Sequence, residues 1–90
     1  MTMNLSDTLH AAREELHARA SLQGGAFRRS DLPSWGMDDA TLRALIRRRL
    51  AIRLRHGIYA DVAVLDAARA DEPRMHMLDL SAAMLSLDFP

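Results

Sequence analysis

SDLPSWGMDDATLRALIRRRLAIRLRHGIYA, residues 30–60, changes its hydrophobic period partway along, and that change decides the fold. Ser30 suits the N-cap of a short helix, with Asp31 in its first turn, Pro33 early enough to spare the backbone hydrogen bonds and Gly36 as its stop. Met37 is an apolar link. Asp38 then caps a second segment in which Leu42, Leu45 and Ile46 make one narrow buried face. From Leu50 the period shortens to two: Leu50, Ile52 and Leu54 alternate with Ala51, Arg53 and Arg55. His56 and Gly57 separate this run from Ile58, Tyr59 and Ala60, which predicts a β-hairpin turning at residues 55–57.

Upstream, Leu9, Ala12, Leu16 and Ala20 recur at helical spacing and predict an amphipathic helix over residues 6–22, capped by Ser6 or Asp7. Gln23, Gly24 and Gly25 end it, and Ala26 with Phe27 gives a short apolar step that fits one edge strand. Helix, short strand, two helices and a hairpin is the element order of a winged helix-turn-helix, expected here over residues 1–60. Beyond Ala60, Val62, Val64, Leu65 and Ala68 form one patch. After a break at residues 71–73, Met75, Leu78, Ala82 and Leu85 follow at helical spacing. The fold class is therefore mainly α with a small β-hairpin wing, followed by one or two C-terminal helices over residues 61–90. That extension is open to three readings: it packs on the domain, it forms a homodimer with a second copy, or it begins a further domain.

Ninety residues with 49% hydrophobic content make one domain, and the absence of cysteine leaves packing to stabilise it without disulfides or a thiolate zinc site. The apolar runs fall far short of the roughly 20 residues that span a bilayer, and the N-terminus lacks a signal-peptide pattern, so the expectation is a soluble cytoplasmic protein with no membrane partner. Formal net charge is zero, which by itself argues against a polyanionic partner. Its distribution argues otherwise. Residues 28–55 hold eight arginines against Asp31, Asp38 and Asp39, a local charge of +5, while residues 1–27 sum to −1 and residues 56–90 to −4. All twelve basic residues are arginine, which a GC-rich genome explains as readily as a need for planar bidentate donors.

On a helical wheel centred on Leu42, Ala40, Ala44 and Arg47 fall opposite the buried face, flanked by Arg43 and by Thr41 with Arg48. Small residues let a helix sit deep in a major groove about 12 Å wide, where the arginine fork matches guanine and phosphate acceptors. Thr41, Arg43, Ala44 and Arg47 are thus the candidates for base readout. Arg28, Arg29, Ser30, Arg48, Arg53, Arg55 and His56 are the candidates for phosphate and minor-groove contacts, with the wing carrying the last three. The same charges also suit a merely solvated helix face; their confinement to the third helix and the following hairpin of this order favours double-stranded DNA. Asp38 reads as a cap. Asp39, nearer the buried edge, caps as well or accepts from a cytosine amino group. Trp35, Phe27 and Tyr59 read as core closing the space between helices and hairpin, with base stacking as the lesser alternative.

No catalytic constellation emerges. His10 and His17 lie seven apart without a third ligand at metal spacing, Gly24 and Gly25 lack the rest of a phosphate loop, and no serine sits in a nucleophile elbow. The expectation is a non-enzyme with no catalytic residue, no metal and no cofactor.

From Leu16 to Ala60 the chain resembles the N-terminal winged-helix domain of the AbiEi-type antitoxins of type IV toxin-antitoxin systems in bacteria and phages. The likeness rests on Gln23–Gly24–Gly25–Ala26–Phe27 after a helix, a short helix closing in Gly36, Thr41–Leu42–Arg43 with Arg47 and Arg48, and Leu54–Arg55–His56–Gly57–Ile58–Tyr59–Ala60. It implies operator binding at inverted repeats, repression by autoregulation, and a toxin partner. Members of that family continue into a larger domain that carries the antitoxin activity, so DNA binding is the property that carries over to these 90 residues. A fragment of a longer protein, or a stand-alone phage or prophage regulator, accounts for the length. The competing class is a protein–protein interaction module that uses the winged scaffold and the acidic, methionine-rich C-terminal helices.

Overall fold

A computed structural model describes residues 5–87 and resolves the elements in the order expected from the periodicities. Helix α1 spans Leu5–Ser21, strand β1 Ala26–Arg28, a 3₁₀ helix Arg29–Trp35, and helix α2 Asp39–Arg47. Strands β2 (Ala51–Arg55) and β3 (Ile58–Asp61) form the wing, and helices α3 (Val62–Arg69) and α4 (Glu72–Leu87) complete the chain. This is a winged helix-turn-helix with two C-terminal helices. Among the described residues no helix is long and apolar enough to cross a membrane.

The expected first strand is real and decides the architecture. β1 pairs antiparallel with β3, setting Phe27 opposite Tyr59 and Ala26 opposite Ala60, while β2 pairs with the other edge of β3. Alternation sends successive residues to opposite faces, and here both faces are covered. Phe27, Tyr59 and Ala51 face a core built with Leu9 and Leu16 of α1, Leu32 of the 3₁₀ helix, and Leu42 and Leu45 of α2. Ala26, Ile58 and Ala60 face a second core with Leu65 of α3 and Leu78 and Ala82 of α4. The residues expected to stripe the last helix, Met75, Leu78, Ala82 and Leu85, are those that pack inward. Phe27 is fully buried, stacked on Tyr59 at 5.7 Å between ring centres and tilted against Trp35 at 6.0 Å, so the three aromatics close the core as expected.

Local geometry corrects several expectations. α1 is already helical at Leu5, so Ser6 and Asp7 lie inside it rather than at its cap; their side chains are outside the described residues. The short helix is 3₁₀ and begins two residues early, capped from Arg28 rather than Ser30: the Arg28 N–H donates to Asp31 Oδ2 at 2.9 Å. Pro33 inside seven residues removes a donor, which suits this tighter, short-lived winding. Ile46 is not buried but 37% exposed, and Ile52 and Leu54 lie exposed on β2, whose buried residue is Ala51. β2 is an edge strand, so only its root reaches the core.

Gly24 and Gly25 do more than stop α1. Both have positive φ, and a Cβ on Gly24 would run into Ser81 of α4, one on Gly25 into Val64 of α3. Their bareness lets the C-terminal helices seat directly on the sheet. Gly25→Ala should lower the stability of the domain by about 2 kcal/mol or more, since a left-handed backbone and a steric conflict add. Urea denaturation checks it, and a variant as stable as the wild type would refute the close approach.

Candidate nucleic-acid interface

The buried side of α2 holds Leu42 and Leu45, with Thr41 and Ala44 half-buried beside them. At 100° per residue the burial centre is turned roughly 80° from Leu42, and the outward arc runs through Ile46, Asp39, Arg43, Arg47 and Ala40. Arg43 stands at its middle. Ala44, expected to face outward, packs instead against the first core beside Leu9. Ala40 takes its place as the small outward residue.

Asp38 caps α2 as expected: its Oδ1 accepts from the Thr41 N–H and the Thr41 hydroxyl, both at 2.8 Å. Thr41 is therefore committed to the helix start. These hydrogen bonds, the backbone one first, hold the Asp38 carboxyl below its ordinary value. Asp39, expected near the buried edge, is exposed and grips Arg29 in a two-pronged pair, Nε to Oδ1 at 2.9 Å and Nη2 to Oδ2 at 2.6 Å. The pair ties the start of the 3₁₀ helix to the start of α2; it lowers the Asp39 pKa and raises that of Arg29, in both cases chiefly through the hydrogen bond. Arg28 is taken up in the same way, its Nη2 donating to Asp31 Oδ1 at 2.9 Å. Burial pushes the Asp31 pKa up, but hydrogen bonds from the Arg28 side chain and N–H and from Gln23 outweigh it and leave the pKa lowered.

Arg43, Arg47, Arg48, Arg53 and Arg55 are exposed and pair with no carboxylate among the described residues. Arg53 lies opposite Tyr59 in the ladder and so shares its face of the sheet. One open cleft gathers Arg29, Ser30 and Asp39 from the helical side with Arg53, His56, Gly57 and Tyr59 from the wing. Four of the seven residues expected at phosphates converge there. Arg47 and Arg48 lie apart, beside Leu9 and Ala44. Arg55 and His56 occupy the exposed tip.

Sequence reasoning missed two residues. α1 and α2 and the 3₁₀ helix all end alike, with an amide five residues on returning to a helix carbonyl: Gly25 to Ala20, Met37 to Leu32, and Leu50 to Leu45. The left-handed residue within each return is Gly24, Gly36 and, after α2, Arg49 at φ 59°. An arginine is strained where the other two helices use glycine. The signal was legible as a helix stop without its glycine. Asp61, at the end of β3, is buried and accepts from the Ala63 N–H at 2.9 Å and pairs with His17 of α1. It joins α1, β3 and α3, and an aspartate before a new helix was its signal.

Comparison with protein-family models, with curated proteins and with solved structures returns no match. The fold and this surface are thus the ground for any functional reading.

Replacing Arg49 by glycine should stabilise the domain by about 1 kcal/mol, a rise of roughly 5 °C in melting temperature. An unchanged or lower melting temperature would show the backbone to be unstrained there. Acid sensitivity follows from the lowered carboxyls: as pH falls, unfolded chains bind protons before the folded Asp31, Asp38 and Asp39 do. Their contribution is whole above the ordinary carboxylate range and is lost as pH drops through the folded values. Melting temperature should fall between about pH 5 and pH 2, less steeply in Asp31→Asn; parallel slopes for variant and wild type would contradict the assignment.

Proposed function

We propose that the chain binds double-stranded DNA in a sequence-specific manner, as a transcriptional regulator of the repressor or antitoxin kind. The observation that carries this is the placement of unpaired arginines on two adjoining parts of a winged helix-turn-helix: Arg43 and Arg47 on the outward arc of α2, Arg53 and Arg55 on the wing. A solvated surface needs no such arrangement. A helix with Arg43 at its outward centre and Ala40 at the edge of the same arc suits the major groove, with the arginines forking onto guanine and Ile46 offering an apolar contact for a thymine methyl. The wing reaches the flanking backbone.

The cleft between wing and 3₁₀ helix suits one phosphate. Arg53 and His56 approach it from one wall, Ser30 and Arg29 from the other. Asp39 neutralises Arg29 there and sets the angle between the two helices, so an entering phosphate shares a guanidinium that is already oriented. Arg28, held by Asp31, acts as a structural residue in this reading, and Thr41 acts through its cap. The resemblance to AbiEi-type antitoxin domains supports operator binding and leaves a toxin partner as part of the same proposal.

Four or five phosphate contacts give a slope of roughly −4 in log affinity against log salt. Fluorescence anisotropy of labelled duplex from the region upstream of the coding sequence, beside a scrambled duplex at two salt concentrations, tests this. Tight, salt-sensitive and selective binding is expected. Arg43→Glu with Arg47→Glu should cost at least a hundredfold in affinity while leaving the circular dichroism spectrum and melting temperature unchanged. A folded double variant that retains DNA like the wild type would refute the groove assignment. Absence of binding even at low salt would favour a protein-interaction module built on the same scaffold.

A further inference from the structure

DNA binding leaves the outer face of α4 without a role. This helix is apolar on two sides, the inner one being that which packs on the sheet. Its outer side carries Met77, Leu80, Met84 and Leu87 at spacings of three, four and three, a stripe about 80° wide at 100° per residue. These side chains are 55%, 46%, 60% and 83% exposed, and Leu22, 84% exposed at the end of α1, borders the same groove as Met77 and Met84. Large apolar residues in such a row are the pattern of a helix–helix seam rather than of a solvated face.

We infer that this stripe is the interface with a second copy of the chain, with the two α4 helices antiparallel about a two-fold axis level with Ala82. The inference stands apart from the DNA reading. A two-fold interface must be complementary to itself, and a three-four-three spacing is unchanged by reversal. Met77 then meets Leu87 of the partner subunit, and Leu80 meets Met84 of the partner subunit. Each contact joins a flexible side chain to a branched one.

Charge selects the antiparallel sense. Within α4 the charged residues Glu72, Arg74 and Asp79 all lie in the first half, and residues 80–87 carry none. Antiparallel packing sets each charged half against an uncharged half and runs the helix dipoles in opposite senses. The arginines of α2 project from the other side of the sheet, so they do not meet in such a pair.

Area bounds the contact. Met77, Leu80, Met84, Leu87 and Leu22 expose on the order of 600 Å² per copy, so a pair that covered all of it would bury at most about 1,200 Å², the lower bound of specific interfaces. An interface at that lower bound, with no buried aromatic or arginine anchor, fits a weak and reversible dimer.

Sedimentation equilibrium of the whole chain without DNA, from about 1 to 500 μM, tests the inference. The average mass should climb from 10.1 kDa towards twice that value. Leu80→Glu with Met84→Glu should stay at 10.1 kDa throughout, with an unchanged circular dichroism spectrum. A wild type that remains monomeric, that passes beyond a dimer, or whose double variant associates equally well would overturn the interface. The chain has no cysteine, so the sense of packing is open to cross-linking. Leu80→Cys and Met84→Cys proteins, mixed and oxidised, should yield the disulfide-linked heterodimer faster than either variant alone yields its homodimer. Faster homodimer formation would overturn the antiparallel arrangement.

Discussion

β3 is the strand on which the rest of the structure depends. It is only Ile58–Asp61, yet it pairs with β1 on one edge and β2 on the other, and its alternate residues enter two different cores. Ile58 and Ala60 hold α3 and α4; Tyr59 holds the aromatic trio; Asp61 turns the chain into α3 and binds back to α1. Burying a carboxylate is costly unless it is satisfied, and Asp61 is satisfied from two elements at once. No buried polar side-chain atom among the described residues lacks a partner. The strand is thus also the point where helix-turn-helix, wing and C-terminal helices are fixed relative to one another.

That rigidity places the basic surface. α2 is anchored by Leu42 and Leu45 from below and by the Asp38 cap at its start, and the Arg29–Asp39 pair sets its angle to the 3₁₀ helix. Arg28 and Arg29 look interchangeable with the other arginines by composition, but their partners give them work inside the fold. Exposed ion pairs contribute little to stability, so orientation rather than stability is the better account of Arg29–Asp39. Strain at Arg49 lies at the joint between α2 and the wing, where a glycine would relax the backbone and remove a positive charge from the surface.

The sheet also divides the molecule by chemistry. One side carries arginines that suit a polyanion, and the other ends in an apolar row on α4. A small domain has too little interior to cover every apolar face, and α4, packed on one side, retains a second, exposed stripe on the other.

Sequence by itself determined the element order, the Asp38 cap, the aromatic core and the inward stripe of α4, because hydrophobic period and capping residues act locally. Even the charge concentration in residues 28–55 was legible, since it needs only counting. Which arginines stay available was not. Arg29 meets Asp39 across ten residues and His17 meets Asp61 across forty-four, and no local pattern encodes such pairs. The outward arc of α2 was misplaced for a related reason: Ala44 and Ile46 are both compatible with burial, and only the position of α1 against the helix decides that alanine packs and isoleucine stays out. Gly24 and Gly25 read as a helix stop in the chain and as a seat for α3 and α4 in the fold, because the residues they must admit, Val64 and Ser81, arrive from far along the sequence.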